Sequence, residues 1–142
     1  MGGARVIWKS GLSFEGKADS GFSLPLDTSL ASGGGTGFSP MELLLVGLAG
    51  CTGMDVISIL KKKQQDVTGL EVAVHGERAD SEPRVYTHIT VEYIVTGRKI
   101  DPAAVERAIQ LSETKYCSVE AMLDKTASIE HKITLQETLE TN

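Results

Sequence analysis

A long apolar segment that begins at Ser39-Pro40-Met41-Glu42 constrains the fold of this chain more than any other feature. Serine at the N-cap, proline at the first helical position and glutamate three residues after the cap together predict the start of a helix. The apolar residues continue to the lysines at positions 61–63, which suit the negative end of a helix dipole. Because this helix is apolar nearly all round, we expect it to be central and buried.

The length of this helix bears on the assembly of the protein. From Pro40 to about Gln65 it would be about 39 Å long, which exceeds the width of about 30 Å of a small domain. Burial by a second copy of the chain is the simplest expectation. A membrane span is the rival interpretation, but Asp55, the glycines and the lysines leave fewer than the ~18 uninterrupted apolar residues that a span needs. We therefore predict no membrane-spanning segment.

The rest of the chain predicts an α+β domain over residues 1–142, with antiparallel sheets around the long central helix. Three short strands precede the helix, at 5–9, 13–17 and 22–26, and Pro25 indicates an edge strand. Alternating apolar residues at 70–74 and 85–95 predict an antiparallel hairpin with Val85, Thr87, Ile89, Val91, Tyr93 and Val95 on one face. A helix capped by Asp101, a short turn at 118–123 and a last strand at 127–135 follow.

Charge and composition exclude several classes of partner. The 142 residues carry a formal net charge of −5, so there is no basic surface for nucleic acid or for anionic lipid. The N-terminal residues hold no apolar segment long enough for a signal peptide, and a cytoplasmic location is expected. In a reducing compartment the two cysteines, Cys51 and Cys117, are free thiols or a pair that cycles.

Cys51 lies within the most apolar helix, among Gly47, Gly50 and Gly53. Each glycine in a helix interior costs about 1 kcal/mol relative to alanine, so we expect a compensating close approach of another backbone. The alternative is that Cys51 is simply a small buried apolar residue between packed helices.

Cys117 lies at a predicted helix break, at or next to the N-cap of the turn at 118–123. Backbone N–H groups at such a position stabilise a thiolate and lower the pKa of the thiol. The alternative is an incidental loop thiol. The two cysteines form a redox pair if their Cα atoms come within about 7 Å.

The three histidines do not predict a metal site. His75 and His88 lie on the polar faces of the hairpin strands, whereas His131 lies on an apolar face, where a hydrogen-bonded core histidine is the common outcome. Neither cysteine has a second cysteine or a histidine at the spacing of a zinc finger or ribbon. The sequence therefore predicts no metal site.

The residues from Ser39 to Asp55, SPMELLLVGLAGCTGMD, and the motif Lys115-Tyr116-Cys117-Ser118-Val119 resemble those of the OsmC/Ohr family, the osmotically inducible and organic hydroperoxide resistance proteins. The likeness covers nearly the whole chain and is greatest to the smaller OsmC-like branch. It implies an OsmC-like fold, an intertwined homodimer and a peroxiredoxin-like peroxidase without a cofactor. Cys51 would attack an organic hydroperoxide, Cys117 would resolve the sulfenic acid as a disulfide, and a dithiol reductant would restore both thiols.

One departure from the family pattern concerns the groups that hold the reactive thiolate. The resemblance implies a glutamate directly after the helix-starting proline and an arginine from an early strand. This chain has Met41 after Pro40, and Phe14 stands where the arginine is expected. Glu42 is one residue late, which turns its side chain by ~100° around the helix. Without a cation, a buried Cys51 should have a raised pKa and a lowered reactivity.

Two other functions remain open at this point. One is a non-enzymatic OsmC-like protein that binds a small hydrophobic ligand in an apolar cleft. The other is a redox sensor that signals by forming the disulfide.

Overall fold

The computed structural model describes residues 2–139. The chain forms two compact units, which divide between Leu44 and Leu45. Two three-stranded sheets and a long helix give the predicted α+β class. The single domain over residues 1–142 stays a prediction.

The first unit contains a sheet of three short strands. These are β1 (Ala4–Ser10), β2 (Ser13–Ala18) and β3 (Ser23–Leu26), in the spatial order β1-β2-β3 and antiparallel throughout. Pro25 lies on β3, at the edge of the sheet, where its missing N–H breaks no ladder hydrogen bond to a further strand. The three predicted strands are confirmed.

The long helix α1 (Pro40–Lys62) begins where the capping box predicts. The backbone N–H of Ser39 donates to Glu42 Oε1 at 2.7 Å, and the N–H of Glu42 donates to Ser39 Oγ at 3.3 Å. The two residues thus satisfy backbone donors that the first turn would otherwise leave free. The buried positions form one stripe at four-residue spacing, Leu48, Thr52, Val56 and Leu60.

The opposite side of α1 is exposed in the single chain, so one chain does not bury the helix alone, and its burial nearly all round stays a prediction that needs a second copy. Val46 is 53% exposed and Met54 is 73% exposed. A Cβ on Gly47 or Gly50 would meet no atom within 4 Å, whereas one on Gly53 would lie 3.3 Å from Val72 Cγ2. The close approach at Gly53 thus involves a side chain and not the expected backbone, and no described residue of the second unit approaches the other two glycines in this way.

The length and composition of α1 do not by themselves exclude a membrane span, contrary to the argument from the sequence. By length and composition alone it is long and apolar enough to cross a bilayer, a test that core helices of soluble proteins also pass. Its hydroxyl and carboxyl side chains bond to other elements of the second unit, as described below.

The second unit contains β4 (Asp66–Arg78), β5 (Tyr86–Arg98) and β6 (Ser128–Glu137), in the order β4-β5-β6. The alternation predicted for β5 is confirmed over Ile89, Val91, Tyr93 and Val95, which have no exposed surface. At the start of the strand it is wrong. A register shift opposite Glu77 and Arg78 makes Tyr86 the buried residue and leaves Thr87 exposed.

The last strand departs from the predicted antiparallel pattern. β4 and β5 are antiparallel, but β6 pairs with β5 in parallel, from His88↔Ser128 to Gly97↔Glu137. Parallel neighbours need a long crossover, and here it consists of α2 (Pro102–Leu111), a π-helical turn (Ser112–Tyr116) and α3 (Ser118–Leu123). The Asp101 side chain caps α2 by accepting the N–H of Ala103, as predicted.

Candidate functional site

The crossover brings the two cysteines together. Cys51 lies on α1, and Cys117 directly precedes α3. The Sγ atoms of both cysteines and a carboxylate oxygen of Asp55 all lie within 4.8 Å of one another. Both thiols are free. A disulfide has an S–S bond of about 2.05 Å, so a modest movement of the two side chains would close one.

Cys117 is the more buried of the two thiols, with 3% of its surface exposed. It is the N-cap of α3, as predicted, and its Sγ accepts the backbone N–H of Glu120 at 3.3 Å. The predicted lowering of its pKa is wrong. Burial raises the pKa of Cys117 to about 12, and the nearby Cys51 and Glu120 add to this effect. The hydrogen bond from the helix terminus acts in the opposite direction but is weaker than the desolvation.

Asp55 is a site residue that the sequence reasoning did not identify. It lies four residues after Cys51, so both side chains share one face of the helix. Its Oδ2 accepts a hydrogen bond of 3.0 Å from the Ser112 hydroxyl. The spacing was a signal available in the sequence, but the role of Ser112 was not, because the π-helical turn that presents it depends on the crossover.

A series of buried hydroxyl groups is hydrogen-bonded to Asp55 through Ser112. Ser112 Oγ is 2.9 Å from Thr52 Oγ1, which is 2.7 Å from the Tyr93 hydroxyl. All three side chains are almost fully buried. Desolvation is the main cause that raises the pKa of Tyr93, so its phenol stays protonated and can donate. These hydrogen bonds join α1 to the centre of β5 and to the π-helical turn.

A cavity of about 400 Å³ adjoins this group. It is lined by Asp55, Ser58, Ile59, Lys62, Lys63, Leu111 and Tyr116. Its wall combines apolar side chains with two lysines for which the described residues provide no ion pair. A larger cavity, of about 580 Å³, lies in the first unit and is lined mainly by apolar residues, among them Val6, Phe14, Leu26 and Leu43.

A second group of polar side chains lies on the other side of Cys117. His131 Nε2 and Glu120 Oε1 are 2.7 Å apart, which confirms the prediction of a hydrogen-bonded core histidine. Burial lowers the pKa of His131. Burial, and then the nearby Glu113 and Asp124, raise the pKa of Glu120 to about 7. Sequence reasoning missed Glu120, because a glutamate in an amphipathic turn is normally solvated.

Two clusters among residues 2–139 have donor atoms close enough to share a cation. Cys51, Asp55 and Cys117 offer two sulfurs and an oxygen, one donor fewer than the four of a structural zinc site. The other cluster consists of Glu113, Glu120 and His131.

Comparison with known proteins agrees with this architecture. The model of the family described as "OsmC-like protein" matches residues 33–132. The chain belongs to the OsmC-like family. Protein YhfA of Escherichia coli K12 is 46% identical to it over 128 residues, which cover 90% of this chain and 93% of that protein.

Two solved structures with a similar fold differ widely in their sequence identity to this chain. A hypothetical protein from Aquifex aeolicus VF5 is 30% identical and superimposes with a TM-score of 0.87, over 98% of each chain. The organic hydroperoxide resistance protein OhrB of Bacillus subtilis is 15% identical, with a TM-score of 0.66 over 94% of this chain and 98% of that one. At this identity OhrB shows the shared fold alone. Membership of the OsmC-like family suggests a part in peroxide-related stress defence.

The structure shows what Glu42, which stands one residue later than the glutamate of the family pattern, does instead. Glu42 is engaged by the N-terminus of α1, with its Oε1 bonded to the backbone of Ser39, and so acts as a cap. Asp55 is the carboxylate found beside the two sulfurs.

Proposed function

We propose that this protein reduces organic hydroperoxides through a thiol cycle of Cys51 and Cys117. The observation that carries the proposal is the approach of both sulfurs and the Asp55 carboxylate to within 4.8 Å of one another, between elements that are distant in the chain. An incidental pair of cysteines would not require a carboxylate held in place by buried hydroxyl groups. The family membership supports the same reading.

In the first step Asp55 takes the proton of the Cys51 thiol, and the thiolate attacks the distal oxygen of the hydroperoxide. The O–O bond breaks, an S–O bond forms, and the alkoxide takes the proton back from Asp55 to leave as the alcohol. Cys51 becomes a sulfenic acid. Asp55 thus supplies the carboxylate that the family pattern puts at the position of Met41.

In the second step Cys117 resolves the sulfenic acid. Because the pKa of Cys117 is raised, its thiol is protonated at neutral pH and loses the proton only as it reacts. Its sulfur attacks the Cys51 sulfur, the S–O bond breaks, and the departing hydroxide combines with the Cys117 proton as water. An external dithiol then reduces the disulfide by exchange and is itself oxidised to a disulfide.

The cavity beside Asp55 is the proposed route for the substrate. The apolar side chains in its mixed wall, Ile59 and Leu111, favour alkyl or aryl hydroperoxides over hydrogen peroxide. We place the activity in the cytoplasm, where a dithiol pool keeps both thiols reduced, and assign no membrane or nucleic acid as a partner.

We further propose that the working form is a homodimer. The exposed stripe of α1 contains Val46, Gly50 and Met54 over three successive turns. A water-exposed apolar stripe of this length is unusual in a monomer, and glycine at its centre leaves room for a second helix. A second copy of the chain, offering the same stripe, fits this surface by symmetry.

Turnover of cumene hydroperoxide with dithiothreitol as electron donor tests the proposal. We expect wild-type turnover to be lost in Cys51→Ser and to fall at least about tenfold in Asp55→Asn. Asp80→Asn, in the exposed turn before β5, is the matched control and should keep full activity. A redox sensor would oxidise once without sustained turnover. Unchanged peroxide with both thiols still titratable would end the peroxidase proposal.

A hydrophobic-ligand protein is the second candidate, since the apolar cavity of about 580 Å³ in the first unit has room for one. An environment-sensitive apolar dye such as 8-anilinonaphthalene sulfonate distinguishes the two. Saturable binding that is weakened by Leu26→Gln, together with an absence of peroxide turnover, would favour this function.

A further inference from the structure

The cluster of Glu113, Glu120 and His131 has no part in the proposed thiol cycle. Glu113 lies in the π-helical turn, Glu120 in α3 and His131 in β6, so three separate elements converge there. One donor atom from each residue lies within 4.8 Å of the other two.

The buried part of this cluster is incompletely bonded. Glu120 is only 2% exposed, yet its Oε2 has no hydrogen-bond partner among the described residues. The Nδ1 of His131 is likewise buried and unpartnered. A buried polar atom without a partner costs about 1–3 kcal/mol, so something is expected to satisfy the pair.

The charges around Glu120 are of the wrong sign for a carboxylate alone. Its charged neighbours include the acidic Glu113 and Asp124, both of which disfavour a second negative charge. The basic group that the described residues place against it is the His131 imidazole. A dipositive ion held between Glu113 and Glu120 would turn the repulsion of their carboxylates into attraction to the ion.

We propose that Glu113, Glu120 and His131 bind a divalent transition-metal ion such as Zn²⁺. One imidazole nitrogen and two carboxylate oxygens form a mixed donor set that such ions accept, with water completing the coordination. Glu113 is exposed, which gives the ion a path to the buried carboxylate. The bound ion ties the π-helical turn and α3 to β6. It also adds positive charge next to Glu120, whose backbone N–H donates a hydrogen bond to Cys117 Sγ.

The test uses the full-length Cys51→Ser/Cys117→Ser protein, which removes the competing sulfur cluster. Serine is a favoured N-cap residue, so the second substitution keeps the start of α3. Isothermal titration with Zn²⁺ at pH 7.5 should show one equivalent bound. Glu113→Gln in this background should weaken binding at least about tenfold. Because Glu113 is exposed, loss of folding is not an alternative cause. Glu106→Gln, which changes another exposed glutamate on α2, is the matched control and should leave binding unchanged.

Nuclear magnetic resonance of the imidazole nitrogens locates the ion, because the chain has three histidines. On adding Zn²⁺ we expect the His131 signals to shift and those of His75 and His88 to stay. The proposal is overturned if the thiol-free protein binds no Zn²⁺ or if Glu113→Gln binds as tightly as Glu106→Gln. It is also overturned if the shifts fall on His75 or His88 instead. The bonding of Glu120 to His131 would then be that of a protonated carboxyl with a neutral imidazole. None of these readouts depends on peroxidase activity.

Discussion

Replacing Thr52 with valine removes the hydroxyl group that joins Tyr93 to Ser112. Thr52 is 1% exposed, and its Oγ1 lies 2.7 Å from the Tyr93 hydroxyl and 2.9 Å from Ser112 Oγ. Valine keeps the shape of threonine, so the cost is that of the lost hydrogen bonds and not of a cavity. The Tyr93 hydroxyl loses its partner in a fully buried position, whereas Ser112 keeps its bond to Asp55. We expect a loss of about 2 kcal/mol in the free energy of unfolding.

Tyr93→Phe removes the other end of this bond and should cost about 1 kcal/mol, since Thr52 keeps Ser112 as a partner. In the double variant the tyrosine hydroxyl is gone as well, so no buried hydroxyl is left without its partner at this bond. The loss of stability should therefore be about 1 kcal/mol smaller than the sum of the losses in the two single variants. Urea denaturation compares the wild type and the variants at one fixed protein concentration, so that any self-association affects each protein equally. Thr87→Val, an exposed threonine on β5, is the control and should change stability by less than about 0.5 kcal/mol. Additive costs, or a Thr52→Val protein as stable as the control, would refute the hydroxyl chain.

Three further predictions concern the helix start, the exposed stripe and the buried thiol. Ser39→Ala should lower the free energy of unfolding by about 1 kcal/mol through loss of the cap, as urea denaturation can show; an unchanged midpoint would contradict the capping role. Gly50→Ala should increase the monomer fraction in analytical ultracentrifugation, because a partner helix would meet the new methyl group; unchanged association with a stability gain of about 1 kcal/mol would speak against a dimer on this face. The pKa of Cys117, raised from 9.0 to about 12, means that the folded state holds this proton more tightly than the unfolded state. The resulting stability is present below pH 9 and is lost as the pH rises toward 12. Urea denaturation at pH 8 and pH 10.5 should show a smaller loss in Cys117→Ser than in the wild type, and equal losses would argue against a buried, protonated thiol.

Local signals in the sequence predicted the elements well. The capping box located the start of α1, and apolar alternation located β5, because both depend on neighbouring residues. The parallel pairing of β6 with β5 was not predicted, since it depends on where the crossover returns the chain. Tyr86, and not Thr87 as predicted, lies in the core because of a β-bulge. The alternation of apolar and polar residues in the sequence does not reveal a bulge.

The site was predictable only in its sulfur atoms. The family resemblance identified Cys51 and Cys117, and the structure brings them together. The pKa of Cys117 could not be deduced from its N-cap position, because the sequence does not show how deeply the crossover buries it. Asp55 and Glu120 were missed because a carboxylate on a helix is normally solvated. The four-residue spacing from Cys51 was a sequence signal for Asp55, whereas only the tertiary arrangement shows that Glu120 faces buried polar atoms.

The proposed thiol cycle requires that Cys51 and Cys117 oxidise as a pair. The decisive experiment treats the reduced protein with one equivalent of cumene hydroperoxide and analyses its peptides by mass spectrometry. We expect a Cys51–Cys117 disulfide in the wild type, a sulfenic acid on Cys51 that dimedone traps in Cys117→Ser, and no reaction in Cys51→Ser. Two thiols that remain free after the peroxide is added would rule out the cycle.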